Sequence, residues 1–470
     1  MGNPVPLRHM KNASTYDALL TDFYELTMAA GYFERQLSYR ATFELFVRSL
    51  PSERNFLLAG GLESVLLYLE NLQFTEEQVR FVRDQPAFQT VSDSFFDYLR
   101  GFRFTGDVSA APEGTAIFGE EPFLQVTAPI AEAQLAETYL LSVINYETLV
   151  ATKAARVVRA AAGKPVLEFG ARRAPGPEAA LRAARAAYIG GCAATSCTMA
   201  GLLFGIPVAG TAAHSWTQAF HSERESFEAL LDTFPETAIL LIDTYDTLAG
   251  AELAAGMGRK IAGVRLDSGD LIELSRRVRK ILDRQGRSNT RIVASGDLNE
   301  YKIAEIVASE APIDLLGVGT ELVTSRDLPA LNVIYKLVET EEDGQLRYTT
   351  KYSSHKAYSP GRKQVFRFSA RGRFHHDVIA LAEERLIEGQ PLLHPVMRHG
   401  KRISEPPSIE KIRARARENL NQLPDEYQAF NGAPQYPVEK SRALAQLLED
   451  MRSQYFQPAA TGLKKVNPLT

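Results

Sequence analysis

The chain has 470 residues, 45% hydrophobic and 23% charged, with 53 Lys and Arg against 57 Asp and Glu for a net charge of −4. That balance excludes attraction to nucleic acid or an anionic membrane by bulk charge, so an anionic ligand must be held by local groups. It also excludes a disordered or low-complexity chain, and the length is that of two or three domains.

The first segment, MGNPVPLRHMKNAS, is broken by Pro4 and Pro6 where a signal peptide needs an unbroken apolar run, and reads as a short arm. Ser14 with Asp17 three residues on resembles a capped helix start. Leu19, Leu20, Phe23, Leu26 and Ala30 continue at helical spacing and predict a helix ending near Gly31. Residues 42–47 favour a strand and 62–72 a helix. Phe102, Phe104, Val108, Ile117, Phe118, Phe123 and Val126, set between Gly and Pro breaks, predict short antiparallel strands. A long helical pattern over 132–162 stops at Gly163-Lys164-Pro165, where Gly can take the left-handed cap and Pro blocks continuation.

From 165 to 337 short apolar runs alternate with helical stretches: 166–169, 206–209, 238–242, 261–266, 291–294 and 313–318. Repeated β then α at this spacing predicts a (β/α) barrel, with an open doubly wound sheet as the alternative. Within it, the 37 residues of 186–222 contain no Asp, Glu, Lys or Arg. Gly201, Gly205, Pro207 and Gly210 break that stretch, so it reads as buried strands and turns and not a membrane span. It holds both cysteines, Cys192 and Cys197, too few for a disulfide framework, which predicts a cytoplasmic setting. Beyond Leu337 the chain turns polar, with a strand at 348–352, a basic stretch at 351–367, a further strand–helix alternation to about Glu388, and a basic helix at 411–421 expected to be a solvated face.

Polar and glycine residues gather where each apolar run ends, which is where such sheets build sites. Gly317, Gly319 and Thr320 follow the last run and suit a phosphate held on backbone N–H groups; Ser295, Gly296 and Asp297 are read the same way. Arg265 and Asp267 lie two apart on one strand face. They offer a bidentate anion clamp and an acceptor for sugar hydroxyls or Mg²⁺, or else an internal salt bridge. His214 is nearly the sole ionisable group of the charge-free stretch, so it must be hydrogen-bonded or reactive, and no HxxxH or HxH spacing makes it a metal ligand. Phe169 and Arg172 could stack on and clamp a planar anion, or be a core ring and a surface cation. Tyr24 reads most simply as a helix-face aromatic. These residues predict a barrel that binds a phosphorylated, anionic small molecule and leave the reaction open.

Five motifs in this order, Thr21-Asp22-Phe23-Tyr24-Glu25-Leu26-Thr27-Met28, Glu168-Phe169-Gly170-Ala171-Arg172-Arg173, Gly210-Thr211-Ala212-Ala213-His214-Ser215, Val264-Arg265-Leu266-Asp267-Ser268-Gly269-Asp270 and Gly317-Val318-Gly319-Thr320, resemble the nicotinate phosphoribosyltransferase family. The resemblance runs from about Tyr16 to Arg367 and more loosely to Pro437. It implies the irregular α/β barrel of type II phosphoribosyltransferases beside a second α+β domain built from N- and C-terminal segments. The segments would be 1–130 for the N-terminal α+β part, 131–345 for the barrel, and 346–470 packing on the N-terminal domain and barrel mouth. It further implies a homodimer with interface sites, and transfer of phosphoribose from phosphoribosyl pyrophosphate to nicotinate with Mg²⁺, coupled to ATP hydrolysis through a phosphohistidine.

Carried over by motif, Tyr24 and Phe169 would sandwich the pyridine ring, Arg172 and Arg265 would hold anions, and Thr211 would position nicotinate. His214 would take the phosphoryl group and Asp267 would support the ribose. Ser295, Gly296, Asp297, Gly317, Gly319 and Thr320 would cradle the 5′-phosphate, and Lys356, Lys363 and Arg367 are candidates for pyrophosphate. Cys197 departs from the pattern, standing where the family has Asn and its nicotinamide-using relatives have Asp. The alternatives are therefore a nicotinamide-using enzyme, a phosphosugar isomerase or aldolase with Glu168 as its strand-end base, and a catalytically silent sensor.

Overall fold

The computed structural model describes residues 17–51, 54–352 and 358–456; the N-terminal arm, the Ser14 cap and Lys356 lie outside them. The first helix is Phe23–Glu34, later than the periodicity predicts. Asp17 accounts for the delay: its carboxylate accepts from the Leu19 N–H at 2.8 Å and its carbonyl from the Leu20 N–H, which closes a turn before a helix can begin.

An antiparallel sheet gathers strands from the beginning, middle and end of the chain, in the order Gln345–Tyr348, Val333–Glu342, Arg40–Val47, Pro122–Pro129, Asp107–Ala110, His394–Arg398 and Lys401–Arg402. Arg40–Val47 is flanked on both sides and buried along nearly its whole length, which is why its sequence shows no alternation. The segment 131–345 therefore ends in a strand of this sheet. The strand expected at 348–352 is instead the second arm of a hairpin ending at Tyr348.

A second sheet is wholly parallel, in the order Ala194–Thr195, Val166–Glu168, Leu315–Val318, Arg291–Ala294, Gly263–Leu266 and Ile239–Leu241. Five of the six predicted runs are strands in it. The run at 206–209 contributes only a bridge from Val208 to Thr195, because Pro207 has no N–H to give to a ladder. Among the described residues no ladder joins this bridge to Ile239–Leu241, so the α/β architecture holds two kinds of sheet and the parallel one is not closed by backbone hydrogen bonds.

Helix Glu137–Ala160 joins the two halves. Its first turns bury Tyr139, Leu140, Val143 and Ile144 in the core of the antiparallel sheet, and its last bury Val150, Ala154 and Val157 in the core of the parallel one. Lys153 and Arg156, both buried on this helix, pair with buried Glu300 at 2.5 and 3.0 Å and lock it to helix Glu300–Ala308.

Near the C-terminus, Lys363–Ala370 and Arg373–Leu381 form an antiparallel hairpin flanked by Gln390–Pro391 and Val438–Lys440. This corrects the strand–helix alternation expected there: Arg371 and Gly372 both take positive φ, 52° and 75°, as a tight hairpin turn demands. The basic helix Ile409–Gln422 is not simply a solvated face either. Arg413 donates to the carbonyls of Tyr188, Gly191 and Cys192, and Arg415 to that of Glu113, so its cations dock it on the core. Among the described residues no helix is long and apolar enough to cross a membrane.

Candidate active site

The C-terminal ends of the parallel strands converge on Arg265. Its Nε donates to Ser295 Oγ at 2.8 Å, Nη1 to Thr211 Oγ1 at 2.8 Å, and Nη2 to Asp267 Oδ1 at 2.6 Å. The guanidinium also lies 5.7 Å from the centroid of the Phe169 ring, within cation–π range. One side chain thus ties the end of its own strand to the ends of strands Val166–Glu168 and Arg291–Ala294 and to the segment after the Val208 bridge. Ser295 Oγ donates to Asp267 Oδ1 at 2.5 Å. Burial alone would raise the Asp267 carboxyl, but the Ser295 hydroxyl and the Arg265 charge outweigh it and hold the group below its usual range.

His214 opens the short helix His214–Gln218 and spans the open side of the sheet. Its Nδ1 lies 3.2 Å from Thr244 Oγ1 beyond strand Ile239–Leu241, and its Nε2 lies 3.8 Å from Asp267 Oδ2. The ring is 41% exposed, so it is accessible from the mouth. Asp243 supports the same cluster, Oδ2 accepting from the Asp267 N–H at 2.9 Å and from Ser268 Oγ at 2.7 Å, while buried Oδ1 has no hydrogen-bond partner among the described residues.

Glycines shape the floor. A Cβ on Gly317 would lie 2.6 Å from the Phe169 ring, so the ring can pack flat on that strand only over glycine. Gly296 has φ 102° and a Cβ there would fall 2.2 Å from the Asp267 carbonyl oxygen; Asp297 follows at φ 47°. This left-handed pair is a strained turn at a strand end of the kind found in functional sites. Among the described residues the N–H groups of Gly296, Asp297, Gly319 and Thr320 have no backbone partner. Arg172, exposed on the turn Ala171–Arg173, makes no ion pair or hydrogen bond among the described residues.

The fold therefore brings Phe169, Thr211, His214, Arg265, Asp267, Ser295, Gly296 and Gly317 together, with Asp297, Gly319, Thr320 and Arg172 on their rim. Tyr24 stands apart, 45% exposed on the first helix, with no ring contact to Phe169 within the chain among the described residues. Burial, then the neighbouring Glu137 carboxylate, push its phenol above the ordinary range.

Three expectations are corrected. Lys363 is buried, 2.7 Å from Glu44, and donates to the carbonyls of Ser359 and Gly361 at 2.8 and 2.6 Å, leaving no ammonium to meet pyrophosphate. Arg367 is sealed against Asp377, and a strand interior cannot spare either charge. Glu168 likewise cannot serve as a strand-end base. It is 1% exposed, its oxygens accept from Thr195 Oγ1 and the Gly170 N–H, and burial raises its carboxyl.

Asp243 and Thr244 follow the run at 238–242 as the other polar pairs follow theirs, and the motifs that carry the family resemblance assign them no role. Thr195 gave no signal, since its strand is two residues long.

An aromatic platform, a partly solvated guanidinium, an ionised carboxylate, an open imidazole and unpartnered loop amides can together hold a planar anion beside a phosphorylated sugar. Comparison with known proteins places the whole chain. Residues 19–145 match the nicotinate phosphoribosyltransferase N-terminal domain, 150–329 the quinolinate phosphoribosyl transferase C-terminal domain, and 387–448 the nicotinate phosphoribosyltransferase C-terminal domain. The chain is 46% identical over 443 residues to a nicotinate phosphoribosyltransferase of Mycobacterium tuberculosis, covering 93% of this chain and 94% of the relative. It is 40% identical to that of Bacillus subtilis, covering 90% and 93%. The crystal structure of human nicotinic acid phosphoribosyltransferase superposes with a TM-score of 0.81 at 29% identity, covering 92% of this chain and 99% of that one. A nicotinate-nucleotide pyrophosphorylase from Pyrococcus furiosus gives 0.71 at 26%, covering 90% and 98%. With relatives of this identity matching 90% or more of its length, the chain belongs to the nicotinate phosphoribosyltransferase family.

Proposed function

We propose that the chain joins nicotinate to phosphoribosyl pyrophosphate, forming nicotinate mononucleotide and pyrophosphate, the salvage step toward NAD. The observation that carries this reading is Arg265, held by Thr211, Ser295 and Asp267 over the face of Phe169. A pyridine ring stacked on Phe169 would place its carboxylate within reach of a guanidinium whose position is already fixed. Arg172, free on the rim, would close over the anion. The pyridine nitrogen then bonds to the anomeric carbon as the bond to the pyrophosphate oxygen breaks. That step passes through an oxocarbenium-like state, so alignment and charge neutralisation supply the catalysis. Asp267, held ionised, lies where the ribose would pass, and the Ser295 to Asp297 and Gly317 to Thr320 turns offer N–H groups to the 5′-phosphate. The parallel strands with the 206–214 segment would make the barrel.

The same reading couples the reaction to ATP through His214. In the tautomer whose Nδ1–H donates to Thr244 Oγ1, the lone pair is on Nε2, which would attack the γ-phosphorus while the bond to the bridging oxygen breaks and ADP leaves. Among the described residues no group of three or more His, Cys, Asp or Glu could by itself hold a metal ion. Mg²⁺ needs only one or two carboxylates when substrate phosphates supply other ligands, and the unpartnered Asp243 Oδ1 fits that role, with Asp297 on the rim. When bound, the ion would neutralise pyrophosphate charge. Tyr24 would complete the ring sandwich from a second copy of the chain, since it is exposed on the first helix and makes no ring contact with Phe169 among the described residues of its own chain.

The test is pyrophosphate release with nicotinate and with nicotinamide, each with and without ATP. Nicotinate is expected to dominate, because a neutral amide leaves a guanidinium without its anion. Equal kcat/KM for the two would overturn the substrate assignment and direct attention to Cys197, and an absence of pyrophosphate release with either would overturn the reaction.

A further inference from the structure

A cleft of about 580 Å³ opens between helices Glu137–Ala160, Pro177–Ile189 and Ile409–Gln422. Arg159 precedes strand Val166–Glu168, and the Gly190-Gly191 turn precedes Ala194–Thr195, so the cleft borders the N-terminal ends of the parallel strands. The candidate active site lies at their C-terminal ends.

Four arginines line the cleft, Arg159, Arg373, Arg413 and Arg417, against two carboxylates, Glu410 and Asp425. Among the described residues only Arg159 reaches a carboxylate, Asp425 at 3.3 Å. Arg413 stacks 4.3 Å from the centroid of the Tyr188 ring and donates only to main-chain carbonyls. Arg373 donates to the Leu423 carbonyl at 3.3 Å, and Arg417 makes no hydrogen bond or ion pair among the described residues. Burial holds Arg413 below its ordinary range, Tyr188 and Cys192 offset part of this, and the neighbouring Arg417 charge adds to it. A guanidinium keeps its proton at any physiological pH, so this excess of cation calls for an anion. The cleft is also lined by the apolar side chains of Val158, Ile189 and Leu420.

We propose that this cleft binds a phosphate ester carrying a flat apolar group, a ligand of the nucleotide class. Its phosphate sits between Arg373 and Arg417, and its ring lies on Val158, Ile189 and Leu420. Planar guanidiniums suit the bidentate recognition of phosphate, and the apolar wall adds what inorganic phosphate cannot use.

The test is calorimetric titration of the full chain with AMP, adenosine and inorganic phosphate, repeated on Arg417→Ala, Arg417→Glu and Arg373→Ala, with thermal melts to confirm folding. AMP is expected to bind the parent chain, about tenfold more weakly to either alanine variant, and more weakly still to Arg417→Glu. Adenosine and phosphate should each bind at least about tenfold more weakly than AMP. Absence of AMP binding to the parent chain overturns the proposal. So does an AMP affinity unchanged in both Arg417→Glu and Arg373→Ala, which would place the nucleotide at the barrel mouth, and phosphate binding as tightly as AMP removes the apolar subsite.

Discussion

Arg265 and Arg367 both lie on strands and both pair with an aspartate, yet one belongs to an open site and the other to a sealed core. Arg265 is shared among a carboxylate and two hydroxyls, and its side chain keeps 12% of its surface. Arg367 spends its donors on Asp377, packs 4.4 Å from the centroid of Phe374 and 5.3 Å from that of Phe118, and both members of the pair are at most 2% exposed. The difference lies in where the strand ends. Arg265 is next to last in a parallel strand whose end faces solvent, whereas Arg367 is central in a hairpin covered on both faces. A cation at the first position can exchange a hydroxyl partner for a ligand; a cation at the second can only be satisfied or destabilising.

Breaking the sealed pair should have the largest effect. Asp377→Ala leaves a buried guanidinium uncompensated and also strips the acceptor of Tyr436 Oη, so a loss of about 3–5 kcal/mol is expected by denaturant unfolding. KM for nicotinate in whatever folds should be unchanged; a shifted KM would mean that the two regions are coupled.

Arg265→Ala should do the reverse, lowering kcat/KM by roughly 10²–10³ in steady-state pyrophosphate release. The melting temperature should move little, since the hydroxyl partners can turn to solvent. His214→Ala should remove ATP stimulation while a slower ATP-independent reaction survives; ATP hydrolysis still in step with product would assign the phosphoryl group elsewhere. Thr211→Val deletes one partner of Arg265 without touching its charge, and about a tenfold loss in kcat/KM is expected.

The smallest effect separates two carboxylates by pH. Asp267 is held below its usual range, so its contribution to stability is full above the unfolded value and is lost as pH falls through the folded one. Glu168 is raised by burial, so the native state binds the extra proton, and its contribution declines as pH rises through the window between unfolded and folded values. Glu168→Gln should therefore flatten the fall in stability on the alkaline side of the ordinary carboxylate range in a series of urea melts. An unchanged slope would show that Glu168 titrates normally.

The sequence by itself determined the parallel strands and the polar residues that gather at their ends. Runs such as 291–294 and 313–318 are apolar because both faces of a parallel strand are covered, and the polar residues after them mark the one end that is not. His214, Arg265, Asp267, Ser295 and Gly317 were legible for that reason, as was the family. Tertiary structure alone decided what Lys363 and Arg367 of the basic stretch do: they look like Arg265 in sequence, and only Glu44, 319 residues from Lys363, and Asp377 across the hairpin turn them inward. It also decided the strand Ala194–Thr195, the Asp243 support beneath Asp267, and the service of Arg413 as a helix anchor. Periodicity records whether a residue is covered; the identity of what covers it depends on contacts between distant segments, and these form only when the chain is folded.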